Sequence, residues 1–466
     1  MVRSLHPADA RFYWFILCLS LMQIIMKSHF NSRLASTPPM GWNSWDGFSV
    51  TINEQEMREN AKFIAEHLKP FGWEYVVLDL GWYAPGADRY NYKQDDIPVV
   101  IDEFGRFLPC PEKFPSSANG QGLKPLADYV HSLGLKFGLH IMRGIPLQAV
   151  KQKTPVKGTR VTADQIAYDR ENCPWFNSMQ TLNFALPQAQ AYYDSIFELY
   201  AQWGVDYIKA DDVNAWHEVH NSDGSPTGTG SPYRVDDIEG IASAIKSCGR
   251  DMLLSLSPGG PETTLINHLR NHANLWRISA DFWDEWGSLK KQMQRCAIWA
   301  PFAISGHWPD ADMLPIGFMP RGESGEANRH SNFNEAELHT LMTLWCICRS
   351  PLMIGGDLPR SRAEILPLLT NSDAISVNQH STNNHRLFSQ SGGEFWFAQS
   401  TLTDAAYVAI LNTNDIQHTF TFEFSALPGK LRQSAQDVWQ RYSVSADNQH
   451  VSVTLGAHDS VLLKLA

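Results

Sequence analysis

The sequence predicts an α/β protein, a (β/α)8 TIM barrel followed by a small antiparallel β-sandwich. Eight short apolar segments recur between residues 37 and 380, and helical stretches separate most of them. None of the eight alternates between apolar and polar residues, which is typical of strands buried on both faces of a parallel sheet. Beyond about residue 385, short β-rich segments follow one another with only turns between them. The alternative is an open doubly wound sheet, but no GxGxxG follows the first strand.

The eight predicted barrel strands follow in order along the chain. They are PMGWNSW (39–45), YVVLDLGW (75–82), KFGLHIMR (136–143), DYIKADD (206–212), DMLLSLSP (251–258), LWRISADF (275–282), FAISGHWPDADML (302–314) and WCICRSPLMIGG (345–356). Thr51 and Glu54 form a capping-box signature for the first helix. Further helices are predicted over 123–132, 188–203 and 236–248.

Residues 1–36 read as a segment apart from the barrel. Arg3 and Arg11 precede an apolar run from Phe12 to Met26, which is short for a membrane span and typical of a signal peptide. An uncleaved N-terminal anchor is the alternative. We therefore expect an exported protein, periplasmic or extracellular, with a catalytic barrel at 37–380 and a sandwich at 381–466.

Charge and cysteine spacing exclude several classes of protein. The net charge is −11 and no basic stripe alternates with aromatic residues, so a nucleic-acid partner is not expected. The seven cysteines show no paired CxxC zinc pattern. Cys346 and Cys348 are predicted to share one face of a strand in the core. Disulfides are permitted in an exported protein of this size but not required.

In a barrel of this kind, functional side chains gather at the carboxyl ends of the strands. Those ends carry carboxylates, tryptophans and a few cations, without a Ser-His nucleophile pattern: Trp42, Trp45, Asp79, His140, Lys209, Asp211, Asp212, Ser257, Arg277, Asp281, Trp308, Asp310 and Asp312. Paired carboxylates with aromatic side chains favour carbohydrate chemistry, because glycosidases work with two carboxyl groups.

Asp211 and Asp281 are the predicted catalytic pair. Lys209 lies on the same strand face as Asp211, and a nearby cation keeps a carboxylate ionised, as a nucleophile requires. Asp281 lies in sequence among Trp276, Phe282 and Trp283, and an apolar setting suits a general acid. Asp212 is expected to point away from the site, as a helix cap or a supporting group.

Two other classes of function remain open. Asp211, Asp212, Asp310 and Asp312 could hold a hard cation, and His217-Glu218-Val219-His220 is one residue short of a zinc HExxH motif. A sugar-binding barrel without catalysis is the other alternative. The two-carboxylate hypothesis is preferred, and neither a metal nor a cofactor is predicted.

The strand ends resemble family 27 of the glycoside hydrolases, the α-galactosidases and α-N-acetylgalactosaminidases of the melibiase group. The motifs TPPMGWNSW, YIKAD, WRISAD, WPDADMLPIG and RSPLMIGGDL fall in the order of that family. The resemblance spans Thr37 to Leu358 and includes the sandwich. It implies retaining hydrolysis without a cofactor, with Asp211 as nucleophile and Asp281 as acid/base. The implied or predicted substrate-binding residues are Trp45, Asp79, His140, Lys209, Ser257, Arg277 and Trp308.

Three positions depart from the galactosidase pattern. Galactosidases usually carry two adjacent aspartates on strand two, whereas this chain has Asp79 and Leu80. His140 replaces a tyrosine on strand three, and Ser257 replaces a glutamate on strand five. We expect terminal α-linked sugars of an oligosaccharide, polysaccharide or glycoconjugate, first of all α-galactosides. N-acetylgalactosamine, L-arabinopyranose and a gluco-configured unit are the alternatives.

Overall fold

The structure is a computed structural model. It describes residues 30–94, 97–168, 170–215, 219–220, 226–227, 231–322, 327–427, 434–440, 443–444 and 449–465. The apolar run predicted as a signal peptide therefore lies outside the described residues, as do His217 and Glu218 of the motif compared with a zinc helix. Among the helices of the described part, none is both long and apolar enough to cross a membrane.

Eight parallel strands form one curled sheet, in which each strand from β1 to β6 pairs with the next along the chain and β8 pairs back with β1. They are β1 (Met40–Asn43), β2 (Tyr75–Leu78), β3 (Lys136–Met142), β4 (Tyr207–Asp211), β5 (Leu253–Leu256), β6 (Leu275–Arg277), β7 (Trp308–Asp310) and β8 (Leu352–Ile354). Between β7 and β8 the ring continues through Leu314, whose amide donates to Met353 O at 2.7 Å. This topology confirms the predicted TIM barrel.

Helices alternate with these strands. The main ones are α1 (Glu54–Phe63), α2 (Lys124–Ser132), α3 (Pro187–Trp203), α4 (Val235–Ser247), α5 (Ile266–His272), α6 (Trp286–Trp299), α7 (Glu335–Ile347) and α8 (Ser372–Gln379). Shorter helices occupy Trp45–Phe48, Leu147–Gln152, Ala163–Ile166 and Ile365–Leu369, and α1 continues as a wider turn over Ile64–Leu68. Short strand pairs or triplets occupy Ile145–Pro146, Ala167–Tyr168, Met179–Leu182, Val219–His220, Pro226–Thr227, Phe318–Met319 and Arg329–His330.

The capping box of α1 lies two residues later than predicted. Asn53 Oδ1 accepts the amide of Glu56 at 3.1 Å, and Glu56 Oε2 accepts the amide of Asn53 at 3.2 Å. Thr51 instead donates its hydroxyl to Phe48 O, and Glu54 binds Arg58. Both windows fit the pattern, and asparagine caps a helix as well as threonine does.

The last predicted barrel strand is wrong in its first half. Residues 345–347 belong to α7, and β8 begins only at Leu352. Cys346 therefore lies in a helix, and Cys348 lies just after it rather than on a strand face. Both are buried, so their placement in the core is confirmed. The six described cysteines are unpaired thiols.

The C-terminal region is an antiparallel sandwich, as predicted. Six strands form one sheet in the order β9-β10-β11-β16-β13-β14, and β12 pairs with β15. They are β9 (Ser381–Gln390), β10 (Gly393–Ser400), β11 (Ala406–Asn412), β12 (His418–Glu423), β13 (Ala435–Asp437), β14 (Ser443–Val444), β15 (His450–Leu455) and β16 (Ser460–Leu465). Phe395, Phe420 and Phe422 pack between them in a separate core. Trp439 Nε1 donates to Thr343 Oγ1 at 2.8 Å and ties this region to α7.

The residues just before Thr37 belong to the folded barrel. Phe30 is fully buried, and its amide donates to Arg270 O at 3.1 Å. Ala35 O accepts hydrogen bonds from Trp308 Nε1 and from the amide of Gly306. Residues 30–36, which composition assigned to the N-terminal segment, therefore pack with the barrel in the structure.

Candidate active site

A cavity of about 120 Å³ opens where the barrel strands end. Seven of the predicted site residues line it: Trp45, Asp79, Lys209, Asp211, Ser257, Arg277 and Asp281. They come from the carboxyl ends of β1, β2, β4, β5 and β6 or from the turns that follow. The parallel register is what brings them together, because all of these strands end at the same edge of the sheet.

Asp79 is a heavily hydrogen-bonded carboxylate in the cavity wall. Its Oδ2 accepts from Asn43 Nδ2 at 2.7 Å and from Lys209 Nζ at 2.8 Å, and its Oδ1 accepts the amide of Leu80. Burial raises the pKa of Asp79, but the charges of Lys209 and His140 and these hydrogen bonds outweigh it and lower the pKa to about 2. Asp79 is therefore ionised at neutral pH.

Asp211 is buried and held by two donors. His140 Nε2 lies 2.9 Å from Oδ2, and the amide of Asp212 donates to Oδ1 at 2.9 Å. Burial raises the pKa of Asp211, but the hydrogen bond and charge of His140, with the charge of Lys209, lower it overall. The predicted ionised state is supported. Lys209 acts on Asp211 through its charge alone, because its ammonium forms its ion pair with Asp79.

Asp212 helps to orient Asp211 through its backbone amide. Its backbone has a φ of +57°, in the left-handed region, and its amide donates to the Asp211 carboxylate. Its own carboxylate accepts from Arg143 Nε at 2.8 Å, and both side chains are buried. Asp212 therefore does not cap a helix, since α4 begins only at Val235. The alternative expectation, a supporting group, matches its contacts.

Asp281 lies on the open side of the cavity. Its side chain is 54% exposed and accepts from Arg277 Nη2 at 3.2 Å. The apolar setting predicted for it is wrong in part, because Trp276 is fully buried and does not line the cavity. Phe282 and Trp283 do line it. Asp281 is thus accessible to a ligand and to water.

Arg277 is shared between two carboxylates. The same Nη2 that contacts Asp281 lies 2.6 Å from Asp312 Oδ2. Asp312 also accepts the amide of Phe282 at 2.7 Å, which fixes the loop that carries Asp281. Burial raises the pKa of Asp312; Arg277 opposes that change, whereas Asp281 and Asp310 add to it. Arg277 therefore positions this loop as well as lining the cavity.

Two predicted substrate-binding residues lie elsewhere. His140 is fully buried behind Asp211 and does not line the cavity. Trp308 is the first residue of β7, so it lies at the opposite end of the strand, where its Nε1 donates to Ala35 O at 2.8 Å. The predicted strand began too early, at Phe302, which belongs to the helical turn Ala300–Phe302, and this misplaced Trp308 relative to the strand end.

Further cavity residues have no strand-end signal in the sequence. Tyr92 and Lys93 come from the long segment between β2 and α2, and Trp175 comes from the long segment between β3 and α3. Tyr92 packs edge-on against Trp45, with ring centroids 5.9 Å apart. The length of these two segments is the signal that could have found them, because long loops of compact domains are commonly binding loops. The missed cavity neighbours also include Asp46 and Met313.

The carboxylates proposed for a hard cation have other partners. Asp212 binds Arg143, Asp312 binds Arg277, and Asp310 accepts the amide of Asp312 at 2.9 Å. Asp79 is committed to Lys209 and Asn43, so the cavity offers Asp211 as a buried carboxylate of lowered pKa and Asp281 as an accessible carboxyl group. Retaining glycoside hydrolases use two such carboxyl groups, one as nucleophile and one as acid/base.

Comparisons with known proteins agree with this chemistry. The family model described as alpha galactosidase A matches residues 147–380, the melibiase model matches residues 20–234, and the alpha galactosidase C-terminal beta sandwich domain matches residues 390–465. An α-galactosidase of Oryza sativa is 28% identical over 92% of this chain and 85% of its own length.

Two solved structures are more similar still. A GH27 β-L-arabinopyranosidase from Geobacillus stearothermophilus, in complex with arabinose, is 40% identical with a TM-score of 0.88, over 93% of this chain and 98% of its own. A candidate α-N-acetylgalactosaminidase from Bacillus halodurans is 39% identical with a TM-score of 0.81, over 94% and 99%. With both domains matched in order and nearly the whole chain covered, this protein is an O-glycosyl hydrolase of glycoside hydrolase family 27.

Proposed function

We propose that this chain is a retaining glycosidase that removes terminal β-L-arabinopyranosyl units, with Asp211 as nucleophile and Asp281 as acid/base. The observation that carries the choice of sugar is Leu80, which is buried and lines the cavity directly beside Asp79. The presence of Asp211 and Asp281 in one cavity supports the reaction type.

In the first step, an Asp211 carboxylate oxygen attacks C1 of the sugar. The bond between C1 and the glycosidic oxygen breaks, and Asp281 gives its proton to that oxygen, so the aglycone leaves as an alcohol. The hydrogen bonds from His140 and from the amide of Asp212 hold the nucleophile ionised and oriented. The product of this step is a glycosyl ester on Asp211.

In the second step, Asp281 acts as a base. Its carboxylate takes a proton from water, the water oxygen bonds to C1, and the ester bond to Asp211 breaks. Two inversions at C1 restore the original anomeric configuration. The exposure of the Asp281 side chain is suited to this step, because both a leaving group and a water molecule must reach it.

The sugar follows from what Leu80 can and cannot contact. β-L-Arabinopyranose has the ring configuration of α-D-galactose at C1 to C4 but lacks the hydroxymethyl group at C5. A carboxylate at position 80 could accept hydrogen bonds from that hydroxymethyl group, whereas a leucine offers only apolar surface. The ionised Asp79 remains available for ring hydroxyl groups. The arabinopyranosidase from Geobacillus stearothermophilus, at 40% identity, supports the same choice.

α-Galactosides are the second candidate substrate. The curated relatives named α-galactosidase, such as the one from Oryza sativa, cover nearly the whole chain. The common ring configuration also means that an α-galactoside would meet the same Asp79, Asp211 and Asp281. We expect it to be turned over more slowly, because its hydroxymethyl group would have to lie against Leu80 without a hydrogen-bond partner.

A panel of nitrophenyl glycosides tests this proposal. The full-length protein is assayed with β-L-arabinopyranosyl, α-D-galactosyl, α-N-acetylgalactosaminyl and α-D-glucosyl donors, and NMR follows the anomer released first. We expect the highest kcat/KM with the arabinopyranoside and initial release of the β-L-anomer. A higher kcat/KM with the galactoside would overturn the choice of sugar alone, whereas inversion at C1 would overturn the mechanism.

We also propose that the protein is exported. The support is the apolar run from Phe12 to Met26 behind Arg3 and Arg11. Mass spectrometry of the protein recovered from the culture medium or periplasm would give its N-terminus. We expect a mature chain that begins before the buried Phe30, and recovery only from the cytoplasm would contradict export.

A further inference from the structure

Two neighbouring helices bring together three side chains of the type that bind metal ions. Glu239 lies on α4, and His268 and His272 lie four residues apart on α5, on one face of that helix. One ligand atom from each residue lies within 4.8 Å of the other two. The two imidazole rings face each other, with centroids 4.3 Å apart and an angle of 34° between planes. None of the three residues lines the cavity around Asp211.

The hydrogen bonds of His272 determine which of its nitrogens is free. Its Nδ1 lies 2.9 Å from His268 O. A backbone carbonyl only accepts hydrogen bonds, so Nδ1 must carry the proton in the neutral ring. Nε2 then keeps its lone pair. This is how a metal-binding histidine is usually arranged, with one nitrogen donating to a carbonyl and the other available to the metal.

His268 has a corresponding arrangement. Its Nδ1 lies 2.7 Å from the Tyr233 hydroxyl, which can accept from Nδ1–H. Its Nε2 lies 3.3 Å from Glu239 Oε1, so these two atoms already point at each other.

We propose that Glu239, His268 and His272 form a Zn²⁺ site, with one carboxylate oxygen and the two Nε2 atoms as protein ligands. Two nitrogens and one oxygen are a common ligand set for zinc, and a water molecule would complete the tetrahedron. In an ordinary ion pair a proton lies between Glu239 Oε1 and His268 Nε2. In the proposed site, Zn²⁺ would replace that proton. Since the ligands come from both α4 and α5, the ion would cross-link the helices that follow β4 and β5. This inference is independent of the proposed sugar and mechanism.

Zinc titration of the full-length protein tests the site. After treatment with a chelator and its removal, ZnCl₂ is added while binding is followed by calorimetry and unfolding by a thermal melt. We expect one saturable Zn²⁺ in the unsubstituted protein that is lost in His272→Ala, and a rise in Tm of at least about 2 °C that is lost with it. Glu239→Gln should weaken binding at least about tenfold, and Tyr233→Phe should do so through loss of the partner of Nδ1.

His67→Ala is the matched control. His67 is an exposed histidine at the end of the first barrel helix, outside the cluster, and its removal should leave the zinc isotherm and the Tm rise unchanged. If His272→Ala fails to fold, as judged by circular dichroism without metal, Glu239→Gln decides, because that side chain is exposed. Equal zinc isotherms and equal Tm responses in the unsubstituted protein and Glu239→Gln would overturn the proposal and leave an ordinary ion pair.

Discussion

His140 donates a buried hydrogen bond to Asp211, with Nε2 2.9 Å from Oδ2. In the register of the barrel, His140 lies opposite Lys209, and Met142 lies opposite Asp211. His140 thus reaches along the strand edge to the carboxylate, while the ammonium of Lys209 turns to Asp79 at 2.8 Å. The proposed nucleophile, Asp211, is therefore oriented by an imidazole. Lys209, two residues before it in the sequence, binds Asp79 instead.

Substitution of His140 should impair catalysis through Asp211. His140→Phe removes the side-chain donor to Oδ2, and we expect kcat/KM to fall about 100-fold, the usual effect of losing one buried donor at a reacting charge. Because His140 lowers the pKa of Asp211, its loss should also move the acid limb of the pH profile of kcat/KM to higher pH.

His140→Gln is the conservative comparison for that experiment. Its amide can still donate to the carboxylate, so it should recover part of the activity and move the acid limb back. A His140→Phe variant that keeps the pH profile of the unsubstituted enzyme would show that the hydrogen bond does not set the ionisation of Asp211.

The ion pair between Asp79 and Lys209 should make stability depend on acidity. The pKa of Asp79 is lowered from an ordinary 3.8 to about 2 in the folded state. A group with a depressed folded pKa contributes stability above its unfolded pKa and loses that contribution as pH falls through the folded one. We expect about 2 kcal/mol of the free energy of unfolding to disappear between about pH 4 and pH 2.

Urea unfolding at a series of acidic pH values measures this effect. Asp79→Asn removes the titrating group, so the difference in unfolding free energy between the two proteins should be constant above about pH 5 and shrink below about pH 4. Glu103→Gln is a control, because that residue is exposed and its loss should leave the slope unchanged. A difference that stays constant down to the lowest pH would mean that Asp79 does not carry the dependence.

Much of the site could be predicted because it lies at strand ends. The carboxyl ends of parallel strands meet at one edge, so Asp79, Asp211 and Arg277 could be placed together from local sequence alone. The partner of Lys209 could not, because it depends on the register between β2, β3 and β4. Local sequence shows which face a side chain occupies, but not which neighbour across the sheet it contacts.

The remaining misses have separate physical causes. Trp308 was misplaced because an apolar stretch does not show where a three-residue strand begins or ends. Tyr92 and Trp175 lie in stretches of two long connecting segments that belong to no helix or strand, so nothing in their spacing marks them as cavity residues. The packing of Phe30 in the core could not be predicted either, because composition alone assigns it to the N-terminal segment.

Position 80 should control the choice between arabinopyranosides and galactosides. Leu80→Asp would supply a hydrogen-bond acceptor where the hydroxymethyl group of galactose is expected to lie. We expect the ratio of kcat/KM for the α-galactoside to that for the β-L-arabinopyranoside to rise at least about tenfold, as one buried hydrogen bond of about 1.4 kcal/mol would give.

Leu80→Ile is the matched apolar control and should keep the preference of the unsubstituted enzyme. An unchanged ratio in Leu80→Asp, in a variant that still folds and still cleaves arabinopyranosides, would separate Leu80 from sugar selection. That outcome would leave the roles of Asp211 and Asp281 untouched, because neither depends on the substituent at C5.

The two proposed catalytic carboxylates should respond differently to the leaving group. Asp211→Asn removes the nucleophile, so turnover should fall at least about 1,000-fold with every substrate, since no glycosyl ester can form. Asp281→Asn keeps the nucleophile but removes the proton donor of the first step and the base of the second. Activity should then fall steeply with an alkyl leaving group, which must be protonated, but much less with dinitrophenolate, which leaves without a proton.

Added azide should also restore activity to Asp281→Asn, because azide attacks the glycosyl ester without needing a general base. The product would be a glycosyl azide of retained configuration, detectable by mass spectrometry and NMR. Far-UV circular dichroism of both variants guards against unfolding. If Asp281→Asn lost the same factor with both leaving groups and gained nothing from azide, another residue of the cavity would have to be the acid/base.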